Sequence, residues 1–216
     1  MVDIGGIIAE PVKRKAGRPV GKSDVLTEEE LKKIMSLPDR RSRQGARDYA
    51  VLLAFGNTPM RKGEMVNLNT ENLVSEGEKK FLDRKGLKKR GTRPYWIRTP
   101  ISNEVYEGIK KYVDFDRERT SVDPLFRTLG KHGPYAARRI TPTAIDLIVQ
   151  KYVDAAGIKK RITPHSFRAT WATLRKHRDP WTVQQQGGWA SVNSVLPYVR
   201  EEQKEIEATV LEFQFA

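Results

Sequence analysis

The chain has 216 residues, 40 of them Lys or Arg against 27 Asp or Glu, a formal net charge of +13, and no cysteine. That length builds one medium domain with a real core, and a balance this basic favours a polyanionic partner. Disulfides and thiol chemistry are excluded, three scattered histidines do not make a metal site, and no apolar run approaches the ~18 residues of a membrane span. The sequence shows no signal-peptide pattern and calls for no cofactor, which fits a cytoplasmic protein, nucleoid-associated in a prokaryote.

Residues 1–24 form a basic arm rich in Gly and Pro, expected to be disordered in isolation. Within it, Gly17-Arg18-Pro19 is similar to the core of an AT-hook, which lies in a narrow A·T minor groove. The alternative is a linker that adds only non-specific phosphate contacts. Thr27 followed by Glu28, Glu29 and Glu30 reads as a capping box, so a helix is predicted over 28–37. Ala46 to Phe55 is apolar almost all round, as a buried central helix requires, and Gly56 to Pro59 breaks it. Arg61 and Glu64 follow, three apart and able to pair on one face, which by itself is also the pattern of a surface ion pair.

Lys80 to Asp83 and Arg93 to Ile97 have strand composition and enclose a glycine-bearing turn region from Arg84 to Gly91. Residues 84–93 carry six basic side chains and no acidic one, as a hairpin gripping phosphates would. Ser102 caps a core helix through Val105, Ile109, Tyr112 and Val113. Residues 127–140, with Arg138 and Arg139, are read as a loop facing DNA, and Thr141-Pro142 opens another core helix ended by Gly157.

Thr163-Pro164 is a helix start, and at about 100° per residue His165 and Arg168 share one side while Phe167, Trp171 and Leu174 form an apolar stripe on the other. The stripe is expected to enter the core and the His/Arg pair to face out beside the positive helix N-terminus, a setting that suits a phosphate. Taken alone, His-x-x-Arg is equally a solvated face. A shorter helix runs from Asp179-Pro180 to the stop at Gly187-Gly188, with Trp189 just after it. A second short segment, Ser191 to Leu196, is expected to end at Pro197, leaving Tyr198 on a segment able to shift. Residues 201–216 are amphipathic, and packing on the chain's own domain or on a neighbouring protomer are equal alternatives.

His165-x-x-Arg168, Gly188-Trp189 and Tyr198 nine positions after the tryptophan resemble the second half of the tyrosine recombinase (phage integrase) catalytic domain. Upstream, Arg61 to Leu68 is similar to the family's first arginine box, although Asn57 to Met60 stand where Thr-Gly-Leu is usual. Lys85-Gly86-x-Lys88-x-Arg90 is similar to its lysine hairpin. The resemblance spans residues 25–200 and implies a mixed α+β, mainly α-helical catalytic-domain fold with a small antiparallel β-hairpin or sheet at one edge. It implies Arg61, Lys85, His165, Arg168, Trp189 and Tyr198 as the catalytic set, with Glu64 in support and Arg18, Lys88, Lys89, Arg90, Arg138 and Arg139 as candidate DNA contacts.

The activity implied is site-specific cleavage and rejoining of double-stranded DNA through a 3′-phosphotyrosine, with neither metal nor ATP, by protomers that form a tetramer in the synapse. A type IB-like topoisomerase and a catalytically silent DNA-binding regulator are the alternatives. The family usually has a helical core-binding domain ahead of this one. The chain is therefore expected to be either a short member relying on its basic arm or the catalytic piece of a longer protein.

Overall fold

The computed structural model describes residues 24–86, 95–115, 119–129 and 135–199. Helix α1 (Glu28–Ser36) begins on the predicted capping box: the Thr27 hydroxyl accepts from the Glu30 amide at 3.2 Å, and the Glu30 carboxylate accepts from the Thr27 amide at 2.8 Å. Three glutamates in its first turn oppose the positive helix end. Helix α2 (Arg43–Asn57) is the axis of the molecule, with every residue from Gly45 to Phe55 buried. Even its charged pair is internal: Arg47 meets Asp48 at 2.7 Å, and the Tyr152 hydroxyl donates to Asp48 at 3.1 Å from a neighbouring helix.

Around α2 lie the short α3 (Lys62–Val66), α4 (Asn103–Asp114), α5 (Pro142–Ala155) and α6 (Pro164–Thr173). Together with Leu26, Ile34, Leu125 and Phe126 they close one continuous apolar core. The chain then forms α7 (Pro180–Gly187), a 3-10 turn at Val192–Ser194 and α8 (Leu196–Val199). These pack on α6 through a separate small cluster of Trp171, Ala172, Val183 and Val195, against which Trp189 and Tyr198 rest.

At one edge sits an antiparallel sheet in the order β1 (Leu73–Glu76), β2 (Lys79–Lys85), β3 (Trp96–Ile101). The β2–β3 register pairs Leu82 with Thr99, Arg84 with Ile97 and Lys85 with Trp96. Strand alternation therefore puts Leu82, Arg84, Ile97 and Thr99 on the inner face, where all four are buried, and Lys85 and Trp96 on the outer one. Lys88, Lys89, Arg90, Arg18 and the 201–216 segment lie outside the described residues.

Several expectations need correction. Strand β1 has no counterpart in the sequence reading, and β2 runs through Arg84 and Lys85, which were placed in the turn. Residues 127–140 are no simple loop: β4 (Arg127–Leu129) and β5 (Tyr135–Arg139) pair antiparallel. Pro197 does not stop a helix but sits in the first turn of α8, where its missing N–H costs no hydrogen bond. Among the described residues no helix is long and apolar enough to cross a membrane.

Leu52 is fully buried in α2, whereas Leu147 on α5 is 66% exposed. Leu52→Ala is expected to cost about 2–5 kcal/mol, and Leu147→Ala to stay within roughly 0.5 kcal/mol. Urea denaturation midpoints at unchanged m-value measure the difference.

Candidate active site

The α7 helix ends at Gly188, whose φ of +66° is the left-handed cap conformation that favours glycine. The chain then folds back, and the Trp189 ring lies against Gly187 so closely that a Cβ there would fall 1.6 Å from the indole. This tight stop leaves the carbonyls of Gln186, Gly187 and Gly188 without helical partners, at the negative end of the helix. Three arginines from three other elements fill them. Arg61, at the N-cap of α3, donates to Gly188 O at 3.2 Å; Arg84, on β2, donates to Gln186 O at 3.0 Å and Gly187 O at 3.2 Å; Arg168, on α6, donates to Gly187 O at 2.8 Å.

Glu64, with no exposed side-chain surface, ties two of them together. Its Oε1 accepts from Arg61 Nη1 at 2.8 Å, and its Oε2 accepts from the Arg61 amide at 2.9 Å and lies 3.2 Å from Arg84 Nε. The pairing expected of Arg61 and Glu64 is thus present, but as a buried strut rather than a surface pair. Three guanidiniums against one carboxylate leave a local excess of positive charge.

Arg168 corrects the expected helix face. Arg168 is 2% exposed and buried together with Phe167 and Trp171, while Leu174, assigned to the core stripe, is 41% exposed. Its charge is tolerated because Nη1 donates to Pro59 O as well as Gly187 O, and the guanidinium stacks 3.7 Å from the centroid of the Trp189 ring. Its Nη2 is buried with no hydrogen-bond partner. Burial first, and then the Arg61 cation, push the Arg168 pKa down to about 9. A guanidinium remains charged at neutral pH, so a cation is held here against both burial and a neighbouring like charge.

His165, three residues earlier on α6, keeps an exposed edge and shares with Arg61 and Arg168 a cleft of about 550 Å³. Partial desolvation, then the Arg168 and Arg61 charges, hold its imidazole below the usual 6.5. Arg61 also walls a neighbouring cleft of about 880 Å³ with Trp96 and Trp189. Tyr198, on α8, is half-buried with its ring centroid 6.3 Å from that of Trp189, which itself lies 6.4 Å from Trp171.

The structure therefore brings Arg61, Glu64, His165, Arg168, Trp189 and Tyr198 into one neighbourhood. Lys85 is on the outer face of β2, its ammonium 5.8 Å from the ring centroid of Trp96, which lines the larger of these two clefts. Arg138 is exposed. Arg139 turns inward, donating to Val66 O and Leu68 O at 2.8 Å each and to Asn69 Oδ1 at 2.7 Å, so it braces the fold instead of presenting a free fork to DNA. Arg84 was missed as a site residue. Its one sequence signal was the period of two in β2, which aims it to the same side as the buried Leu82.

A mainly helical domain that gathers buried arginine forks beside a histidine and a tyrosine is built like a phage-integrase catalytic domain. The chain belongs to the phage integrase family, whose model matches residues 24–205. Tyrosine recombinase XerC of Chlamydia pneumoniae is 28% identical over 178 residues, 81% of this chain and 54% of that protein. The chain thus spans about half the length of the curated relatives it matches. Among solved structures, XerH site-specific recombinase bound to palindromic difH substrate superposes with a TM-score of 0.70 at 20% identity, over 88% of this chain and 53% of that one. The catalytic domain of bacteriophage HP1 integrase gives 0.54 at 16% identity, over 89% and 95% respectively.

Because His165 takes up a proton less readily in the folded chain than in the unfolded one, native stability holds above pH 6.5 and declines as pH falls below that value. NMR titration is expected to place the His165 midpoint below 6.5, with Arg61→Ala or saturating sulfate moving it upward. A midpoint unmoved by both would sever His165 from the two arginines.

Proposed function

We propose that this domain cleaves and rejoins DNA strands at a specific site, through a covalent link between Tyr198 and a 3′ phosphate. The observation that carries the reading is the buried, unpartnered Nη2 of Arg168 in a cleft shared with the Arg61 fork. Such a donor is costly unless an acceptor arrives, and the excess of guanidinium charge around it selects an anionic one. A DNA phosphodiester meets both demands.

In this reading Arg61 and Arg168 bind the two non-bridging oxygens and stabilise the charge that grows on them during attack. The Tyr198 oxygen bonds to phosphorus while the bond to the 5′ oxygen breaks, which conserves an ester for religation. His165, kept neutral by its surroundings, accepts the phenolic proton. Lys85 supplies a proton to the departing 5′ oxygen. That step needs the end of β2 to bring the ammonium from the Trp96 ring toward the forks. Trp189 holds Arg168 on one side and Tyr198 on the other, and its indole N–H is available to the phosphate.

Double-stranded DNA is the proposed partner, gripped further by the basic hairpin residues Lys88, Lys89 and Arg90, by Arg138 and by Arg18 in the arm. Assembly of protomers into a tetramer on DNA belongs to the same proposal. A topoisomerase would use similar chemistry but would not exchange strands between two sites.

On a nicked suicide duplex the protein is expected to form an SDS-resistant adduct that Tyr198→Phe cannot form. Arg168→Ala should slow adduct formation by about 10²–10³-fold, the loss typical of one removed oxyanion donor. Retention of DNA binding with no adduct at all would instead support a silent regulator. Joining of strands from two separate duplexes distinguishes a recombinase from a topoisomerase.

A further inference from the structure

The forks of Arg61 and Arg168 are both donor-only and cannot hydrogen-bond to each other. They share an intermediary. Arg84, 0% exposed, touches Glu64, which holds Arg61, and Gly187 O, which holds Arg168. Its remaining arm donates to the Thr99 hydroxyl on β3, two residues from its own pairing partner Ile97. Its Nη1 and Nη2 therefore donate to fixed acceptors on β3 and α7, its Nε lies 3.2 Å from the Glu64 carboxylate on α3 as an ion pair without an aligned hydrogen bond, and the residue lines neither cleft.

We propose that Arg84 is a positioning residue that sets the separation and aim of the Arg61 and Arg168 forks, without itself touching the phosphate. Three features support this beyond general packing. The contacts are directional and reach the specific atoms that orient each fork. A planar guanidinium can serve acceptors on several sides at once, which an ammonium on a single stem cannot. Arg84 also precedes Lys85 on β2, so the same side chain anchors the strand whose next residue is assigned to the leaving group. The inference rests on reading Arg61 and Arg168 as the phosphate forks.

Arg84→Lys keeps the charge beside Glu64 and removes the bridge to the α7 carbonyls. With a phosphodiester suicide duplex, the variant is expected to form the Tyr198 adduct about 10- to 100-fold more slowly, the scale of loss from a misplaced catalytic group. Gel-shift affinity for DNA should change less than about threefold, because the buried Arg84 makes no phosphate contact. The decisive comparison replaces the scissile phosphate with a neutral methylphosphonate. With one charge gone, the aim of the forks matters less, so the variant should come within about threefold of wild type. An equal loss on both substrates would mark a merely structural residue, and no loss on either would also overturn the proposal.

Should Arg84→Lys fail to fold, Thr99→Val loosens the same guanidinium without removing its charge, and the same substrate ratio applies to it. If wild type forms no adduct, the recombinase reading fails separately. Arginine side-chain NMR then judges Arg84 directly. Slow guanidinium rotation at Arg61 and Arg168 should become fast in Arg84→Lys or Thr99→Val, and unchanged rotation would refute the role.

Discussion

A buried carboxylate that faces two guanidiniums is the constraint from which the site is built. Glu64 has no exposed side-chain surface, so its charge must be met entirely by Arg61 and Arg84. Meeting it draws β2 against α3, and the spare donors of both arginines then require the carbonyls at the end of α7. Those carbonyls are open only because the helix stops at Gly187-Gly188 with a left-handed cap. Remove any one of these and the others are left with unsatisfied polar groups, each costing on the order of 1–3 kcal/mol. Polar satisfaction, more than apolar packing, fixes where the sheet edge meets the helical core.

That network explains why the site is both rigid and incomplete. Three guanidiniums around one carboxylate are held in place by neutral carbonyls, whose dipoles orient the cations without cancelling their charge. The protein has thus been folded around a positive spot in which Arg168 Nη2 and Arg84 Nε are buried without a hydrogen-bond partner, the latter beside the Glu64 carboxylate. The site follows the principle of preorganised electrostatics: the donors are fixed before the anion enters, so little reorganisation is needed as charge develops.

Much of the frame was legible from local rules. The Thr27 capping box, the all-round apolar α2 and the glycine stop before Trp189 follow from capping chemistry and hydrophobic patterning, and the structure bears them out. Arg168 shows where such reasoning gives out. The spacing of about 100° per residue groups Arg168 with His165 on an outward side, yet the side chain is buried with Pro164, Phe167 and Trp171. What reverses the expectation is tertiary: the acceptors at Pro59 and Gly187 and the Trp189 face come from elements distant in the chain. Arg84 is hidden for the same reason, since its buried partner Glu64 lies twenty residues earlier, Thr99 fifteen later on another strand, and the α7 carbonyls more than a hundred later. Its basic neighbours made it read as one more residue of a phosphate-gripping turn.

The location of the proposed nucleophile has a further physical consequence. Tyr198 does not belong to the main core; it rests with Trp189 on the small cluster built from Trp171, Ala172, Val183 and Val195. A cluster of this size buries far less apolar surface than the core around α2, so it opens at lower cost. Arg168 bridges the two regimes: its backbone is part of α6, packed on α2 through the Phe55 and Phe167 rings, while its guanidinium stacks on Trp189. The forks are therefore tied to the larger core, and the tyrosine to a smaller cluster that opens at lower cost. For a reaction in which one phosphate stays bound while the oxygen attached to it changes, that division of rigidity suits the chemistry: the anion site keeps its geometry as the attacking group moves in and out.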